Sequence, residues 1–390
     1  MLSKNSNHIP YGKQDITQDD INSVVDVLKS NFLTQGPVVP AFEHGIAAYV
    51  NANYAVTANS ATSALHLACL ALDLGHEDIL WTSDITFVAS ANCGRYCDAQ
   101  IEFVDIDLTT YNICPQKLSE KLIEAKKKKK LPKILIAVHM AGQSCDMLAI
   151  HELSKHYGFK VIEDASHAIG GTHLGQKIGA CVYSEMTVFS FHPVKVITAA
   201  EGGCITTNNF ALANKVQQLR SHGIVRDDFT GPTTLMGPMY YEQQNLGFNY
   251  RLSDLHAALG KSQLSRVDDY VTRRNRIAEI YNSTLSHEIN KPHIAKESLS
   301  AFHLYIVRFP DHSVNIRDKV YKTLYENKIH ANVHYIPLHF HPYYIDQQND
   351  SPNFQNAELY YRTALSLPIF PNLTDKNVGE IASLINSVIK

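Results

Sequence analysis

From residue 54 to residue 164 the chain repeats one pattern, a short apolar or β-branched run followed by a helix-length segment. That alternation limits the fold more than anything else in the sequence. Tyr54-Ala55-Val56-Thr57 reads as a strand, and residues 79–83, 101–105, 133–139 and 160–164 repeat the type. Helical segments are expected between them at residues 65–74, 87–97, 115–125 and 147–157. Runs that are apolar on both sides suit a parallel sheet covered on both faces, so the rhythm predicts an α/β fold, a doubly wound and mainly parallel sheet. No GxGxxG follows the early strands and no GxxxxGK[ST] occurs, which removes the main support for a nicotinamide dehydrogenase or a P-loop enzyme.

A chain of 390 residues has room for more than this sheet. Residues 15–30 read as an amphipathic helix with Ile16, Ile21, Val24, Val25 and Leu28 on one stripe. A turn-rich loop over 31–37 and a helix over 40–50 follow. Beyond a helix at 211–220, the Gly/Pro/Thr-rich residues 226–238 read as a surface loop near a site. A long helix is expected from Ser253 to about Ser283, and the domain boundary is placed in it. Residues 1–255 then form a large domain with an N-terminal arm. Residues 256–390 form a connecting helix and a small α+β domain, with a strand at 302–309, a helix at 316–327, a strand at 331–335 and two further helices.

Charge and composition narrow the partners. A net charge of −3 calls for neither nucleic acid nor an anionic membrane. The lysine run 126–130 follows a helical segment and reads as a solvated helix end. The N-terminus has no apolar signal core, no run is long enough to span a bilayer, and the seven scattered cysteines read as reduced thiols, so a cytoplasmic protein is expected. Twenty histidines show no zinc-ligand spacing, so no metal site is expected.

The chemistry concentrates in Ser190–Gly203, SFHPVKVITAAEGG. A β-prone run ends at Ser190, a turn forms at His192-Pro193, and Lys195 follows before another strand-like run at 204–207. A lysine between buried strands is costly unless solvated, paired or covalently occupied, and desolvation makes its amine nucleophilic. Lys195 therefore reads as the Schiff-base lysine of pyridoxal 5′-phosphate. Asp164 ends its strand where α/β folds place ligand groups, and a buried carboxylate there suits a protonated pyridine nitrogen; a helix N-cap is the alternative. Asn59-Ser60-Ala61-Thr62-Ser63-Ala64 opens a helix, either as a phosphate cradle or as an ordinary N-cap.

These stretches resemble a known family. SFHPVK with its downstream EGG, NSATSALHLA, EDASHAIG, RSHGI and GFNYRLSD look like the DegT/StrS-type nucleotide-sugar aminotransferases. They run in the family's order from Tyr11 nearly to the C-terminus. The resemblance implies the type I fold of PLP-dependent aminotransferases. It implies that Lys195 binds the cofactor and shuttles a proton, that Asp164 pairs with the ring nitrogen, and that His167 lies near the phenolic oxygen. Ala61, Thr62 and Ser190 would hold the phosphate, and Asn249 would reach it from the other subunit of a homodimer. Phe87 would stack on the pyridine, unless it is a core phenylalanine. Tyr11, Thr34, Arg220, His334 and Tyr335 are candidates for the nucleotide-sugar side. Lysine, where a dehydrating branch has histidine, favours transamination. Within the family, LTQG at 33–36, RSHGI followed by residues 226–229, ALGKSQL and residues 332–335 are similar to the branch serving pseudaminic acid biosynthesis. The implied substrates are L-glutamate and a UDP-linked 4-keto-6-deoxy-N-acetylhexosamine. A different nucleotide-4-keto sugar is the first alternative, and a regulatory protein with a degenerate form of the fold is the second. Intact Lys195, Asp164 and Ser190 speak against the latter.

Overall fold

The computed structural model describes residues 8–227, 229–231, 237, 239–310, 315–345 and 353–389. Of the expected loop at 226–238, Asp228, residues 232–236 and Pro238 lie outside the described residues.

The chain opens with helices α1 (Gln18–Leu28) and α2 (Val38–Val50), strand β1 (Tyr54–Ala58) and helix α3 (Ala61–Ala71). The alternation continues through β2 (Ile79–Ser83), α4 (Ala89–Arg95), β3 (Gln100–Val104), α5 (Pro115–Lys128), β4 (Ile134–Val138), α6 (Met147–Tyr157) and β5 (Lys160–Asp164). Two-residue strands β6 (Thr172–His173) and β7 (Gln176–Lys177) precede β8 (Met186–Ser190), β9 (Gly203–Thr207) and α7 (Phe210–Arg220). Then come β10 (Ile224–Val225), β11 (Glu242–Gln243), α8 (Asp254–Leu264), α9 (Val267–Thr284) and β12 (Ser298–Leu299). The chain closes with β13 (Tyr305–Arg308), α10 (Ile316–Glu326), α11 (Pro342–Ile345), α12 (Gln355–Thr363), β14 (Ala364–Leu367) and α13 (Asp375–Ile389).

Seven strands form the main sheet in the order β1-β9-β8-β5-β4-β2-β3. Only β9 runs against the others, antiparallel to both β1 and β8. The expected α/β architecture is present. Strand β4 shows why: Ile134, Ile136 and Val138 join the core beneath α3, α4 and α7, while Leu135 and Ala137 join the core beneath α5 and α6. The carboxyl ends of the six parallel strands share one edge, and loops from that edge carry the site. The two-stranded antiparallel sheet β13–β14 joins the second part to the first, because Leu304 and Ile306 pack into the sheet core while Tyr305 and Val307 pack against α9, α10 and α13.

Several expectations fail for tertiary reasons. The stripe on α1 is not the packed side: Ile16, Ile21 and Leu28 are exposed, and Asp20 is buried instead. Asp20 caps its own helix through Thr17 and accepts from Gln263 and Arg266, each at 2.7 Å. The long helix from Ser253 is two helices, broken at Ser265-Arg266, where Arg266 leaves helical geometry and its guanidinium reaches Asp20. Residues 331–335 form no strand; one bridge, Asn332 to Ser366, is all the pairing they make. The strand beside β13 is β14, a four-residue run between two helices. Helix α5 continues to Lys128, so the lysine run lies on its last turn with Lys129 turning left-handed.

Candidate active site

Asp164 is the last residue of β5 and is buried. Its Oδ1 accepts from the Ser166 backbone N–H at 3.1 Å and from Ser166 Oγ at 2.6 Å; Oδ2 accepts from Ser90 Oγ at 2.7 Å. Thr86 Oγ1 lies 2.8 Å from Ser90 Oγ. A carboxylate has about four lone-pair sites, so Oδ2 keeps capacity for a further donor. No cation within the described residues takes it.

Lys195 follows β8 on a turn held by its own N–H to the His192 carbonyl, 3.0 Å. Its Nζ makes no hydrogen bond among the described residues. Burial lowers its pKa to about 8 against the pull of Asp164. The groups around it are neutral by the same physics. Burial, then the Lys195 charge, pushes His167 and His303 well below the ordinary histidine range and His334 down to about 4. Burial, with Asp164 and Tyr11 nearby, raises Tyr335.

His167 Nε2 sits 3.1 Å from Tyr335 Oη, while its Nδ1 is buried without a partner. The His303 ring packs against His167 with centroids 4.5 Å apart, and its Nδ1 is likewise orphaned. Gly142 permits this approach: at φ +107°, a Cβ there would stand 2.8 Å from the Phe302 nitrogen and 2.9 Å from the His167 carbonyl. His334 Nδ1 lies 2.9 Å from Ser366 Oγ, and the Tyr11 ring lies tilted against the His334 ring with centroids 5.3 Å apart. Asp84, at the end of β2, accepts from His339 N at 3.0 Å and lies 2.6 Å from His339 Nδ1, fixing the segment that follows Tyr335. Phe87 is 56% exposed, so the core reading fails; its ring stands 6.0 Å from that of Tyr335.

Register builds the second half of the site. Ala58, Gly203 and Ser190 lie side by side across β1, β9 and β8. A Cβ on Gly203 would stand 2.6 Å from the Ser60 carbonyl and the Ala61 nitrogen, so glycine alone lets the start of α3 settle against Ser190. Ser60 caps α3 by accepting from Ser63 N at 3.1 Å. The Ala61 and Thr62 N–H groups of the first turn have no acceptor among the described residues, as expected for donors aimed at an anion.

Three expected residues stand apart from this group. Thr34 is exposed and pairs only its backbone, with Ser253. Arg220 Nη1 is committed to Glu43 Oε1 at 2.5 Å and to the Thr57 carbonyl at 2.7 Å. Asn249 is exposed and bridges Ser221, next to Tyr250, whose carbonyl accepts from Asn59 N at 2.8 Å. Sequence reasoning missed Ser90, Ser166 and His303. A histidine between Phe302 and Leu304, in an apolar run, was the available signal for the last. A separate groove of about 900 Å³ runs along β3 and touches none of these residues.

Pyridoxal phosphate requires a nucleophilic amine, an anion for its ring nitrogen and donors for its phosphate. The unpartnered Lys195, the spare capacity of Asp164 and the free N–H groups of α3 fit those needs.

Comparison with known proteins agrees. The model of the DegT/DnrJ/EryC1/StrS aminotransferase family matches residues 14–386. The spore coat polysaccharide biosynthesis protein SpsC of Bacillus subtilis is 35% identical over 100% of this chain and 99% of its own. The UDP-4-amino-4,6-dideoxy-N-acetyl-β-L-altrosamine transaminase of Campylobacter jejuni is 34% identical over 98% of both chains. Among solved structures, Helicobacter pylori PseC, an aminotransferase of pseudaminic acid biosynthesis, superposes with a TM-score of 0.89 at 29% identity, over 98% of this chain and 99% of that one. The chain belongs to the pyridoxal-phosphate-dependent DegT/DnrJ/EryC1/StrS aminotransferase family.

Proposed function

We propose that this aminotransferase moves an amino group from L-glutamate to C4 of a UDP-linked 4-keto-6-deoxy-N-acetylhexosamine. The product is UDP-4-amino-4,6-dideoxy-N-acetyl-β-L-altrosamine, for pseudaminic acid biosynthesis. The observation that carries the reading is the buried, unpartnered Lys195 facing Asp164, in a chain so similar to the Campylobacter transaminase and to PseC. Bound in this site, pyridoxal phosphate supplies an electron sink and an amino-group carrier. Lys195 would hold it and serve as the base and acid that move a proton at Cα of glutamate and at C4 of the sugar. Asp164 would keep the ring nitrogen protonated, His167 would serve the phenolic oxygen, Phe87 the ring face, and Ala61, Thr62 and Ser190 would hold the phosphate. Tyr11, Thr34, Arg220, His334 and Tyr335 are assigned to the sugar side, where remote contacts on the nucleotide orient the keto carbon. The division at residues 255 and 256 and the cytoplasmic location belong to the same proposal.

The test is incubation with glutamate and a panel of UDP- and dTDP-4-keto sugars, with products identified by NMR. Amination of the UDP-4-keto-N-acetylhexosamine to the altro product is expected. Transfer only to a dTDP sugar, or to the gluco-configured product, would replace the substrate while keeping the chemistry. The similarity to SpsC, as high as that to the Campylobacter enzyme, makes another nucleotide-4-keto sugar the second reading.

The working unit in this proposal is a homodimer in which Asn249 donates to the phosphate in the partner's site. An exposed amide beside the phosphate loop supports it. Mixing inactive Lys195→Ala with an inactive, bulky charged variant of Asn249 should restore activity toward about half of one dimer's worth per heterodimer. No recovery after proven exchange would return Asn249 to its own subunit's site.

A further inference from the structure

The turn that leads from β2 into α4 carries two buried hydroxyls, Thr86 and Ser90, that its own helix does not use. Hydroxyls at a helix start ordinarily cap a free N–H or bond back to a carbonyl one turn earlier. Here the N-cap position is Val88, and no side chain caps the helix. Ser90 instead gives its proton to Asp164 Oδ2 at 2.7 Å, across 74 residues of sequence. Strand β4 lies between β2 and β5 in the sheet, so this bond ties together the ends of two strands that do not pair.

Thr86 gives the bond a direction. A serine hydroxyl has one proton, and an ionised carboxylate only accepts. With the Ser90 proton on Asp164, the 2.8 Å contact between Thr86 Oγ1 and Ser90 Oγ leaves Thr86 as its donor. The result is a relay, Thr86 to Ser90 to Asp164, in which each donated proton polarises the next oxygen. It ends on one carboxylate oxygen of the two. Oδ1 is taken by the Ser166 N–H and hydroxyl, whereas Oδ2 holds Ser90 and retains room for the guest. The same turn sets Phe87: the Ser90 N–H donates to the Phe87 carbonyl at 3.2 Å, and the Phe87 ring stands beside that of Tyr335.

We propose that Ser90 and Thr86 are positioning residues for transamination, a relay that fixes Asp164 Oδ2 and its negative charge for the cofactor's ring nitrogen. This rests on the reading of Asp164 as the partner of that nitrogen. Neither hydroxyl touches substrate or reacting atoms; both act through Asp164. Without the relay the carboxylate is free to turn about its last bond, and Oδ2 loses the donor that stabilises its charge. Buried as the pair is, water does not take the place of either hydroxyl. The ring nitrogen then gives up part of its proton, and the ring becomes a poorer electron sink. One short turn thus serves Asp164 through Ser90 and presents Phe87, the candidate for the ring face.

The relay is tested by nitrogen-15 NMR of the full-length enzyme loaded with pyridoxal phosphate labelled at its ring nitrogen, whose resonance moves far upfield on protonation. The wild type should read as protonated, and Asp164→Asn should carry the resonance toward the unprotonated position. Ser90→Ala should move it the same way by about a third of that displacement, and the isosteric Thr86→Val by less. Ser90→Thr, which keeps the donor, should retain the wild-type resonance. In Ser90→Ala the glutamate half-reaction should slow about tenfold with KM for glutamate within about twofold of wild type, a split that a packing role would not give. Should Ser90→Ala fail to fold by circular dichroism, Thr86→Val decides, since it keeps the shape and removes only the proton donor. A resonance unmoved in Asp164→Asn would remove the reading of Asp164 and the relay with it. Displacement in Asp164→Asn, with none in the folded Ser90→Ala or Thr86→Val, would overturn the relay and leave Asp164 in its role.

Discussion

Glu163 and Asp164 are neighbours on β5, both buried, and their side chains meet opposite accounts. Glu163 is satisfied on every side: His139 Nε2 at 2.7 Å, Ser184 Oγ at 2.5 Å and Thr187 Oγ1 at 3.1 Å. The Cys145 N–H donates to His139 Nδ1 at 3.1 Å, which leaves the ring proton on Nε2 to serve Glu163. Among the described residues Asp164 receives only hydroxyls and one N–H, and no ion pair with Lys195 forms. A closed network holds a fold together, whereas an open one beside a desolvated amine is built for a guest.

That contrast can be broken most sharply at Lys195. Lys195→Ala should lower turnover by three or more orders of magnitude, since anchor and proton carrier go together, while circular dichroism and melting temperature stay near wild type. A variant that keeps turnover would remove the lysine from the mechanism. Borohydride reduction of the wild type should leave the cofactor mass on the Lys195 peptide and on no other.

Asp164→Asn should lower the rate of both half-reactions by roughly a hundredfold, the scale of a lost principal electrostatic stabiliser. Its stability should change little, because the amide keeps the shape. Near wild-type kinetics would make Asp164 a local cap for Ser166. Glu163→Ala should do the reverse. Leaving His139, Ser184 and Thr187 without their acceptor should cost about 3 kcal/mol in denaturant unfolding, with turnover per folded molecule within about threefold of wild type.

The smallest effect is a pH effect on the cofactor-free protein. With Lys195 lowered to about 8 by burial, the unfolded chain holds this proton up to its ordinary value near 10.4. Between those values the unfolded state binds more protons, so this group's contribution makes stability rise with pH there, and the penalty is full below about pH 8. The rate at which pyridoxal phosphate is captured should climb through the same midpoint in stopped-flow absorbance. Lys195→Ala should show neither trend.

Much of the frame was legible because it is local. Apolar five-residue strands and the small-residue start of α3 announce themselves within a few positions, and Lys195 and Asp164 stand in motifs adjoining them. What escaped depends on distant partners. The stripe on α1 promised a packed face, yet the helix meets α8 through buried Asp20, which takes Gln263 and Arg266, polar contacts that no periodicity encodes. The same arginine marks the helix break at Ser265. Strand β14 was hidden because four residues between helices carry little pattern, and their mate β13 lies far away in sequence. Ser90 looked like one small residue among several until the sheet brought Asp164 beneath it, and His303 gained meaning only through Gly142.

The pairing of His167 with Tyr335 also bears on the order of biosynthesis. The start of α3 is translated early, Asp164 and Lys195 near the middle, and Tyr335 close to the end. Contacts of such long sequence separation close late, after the local α/β units have formed. A ribosome-bound chain shorter than about 340 residues therefore holds a nearly finished sheet with an unfinished pocket. Tight retention of the cofactor should begin only once the last sixth of the polypeptide has folded back over the carboxyl edge of β5.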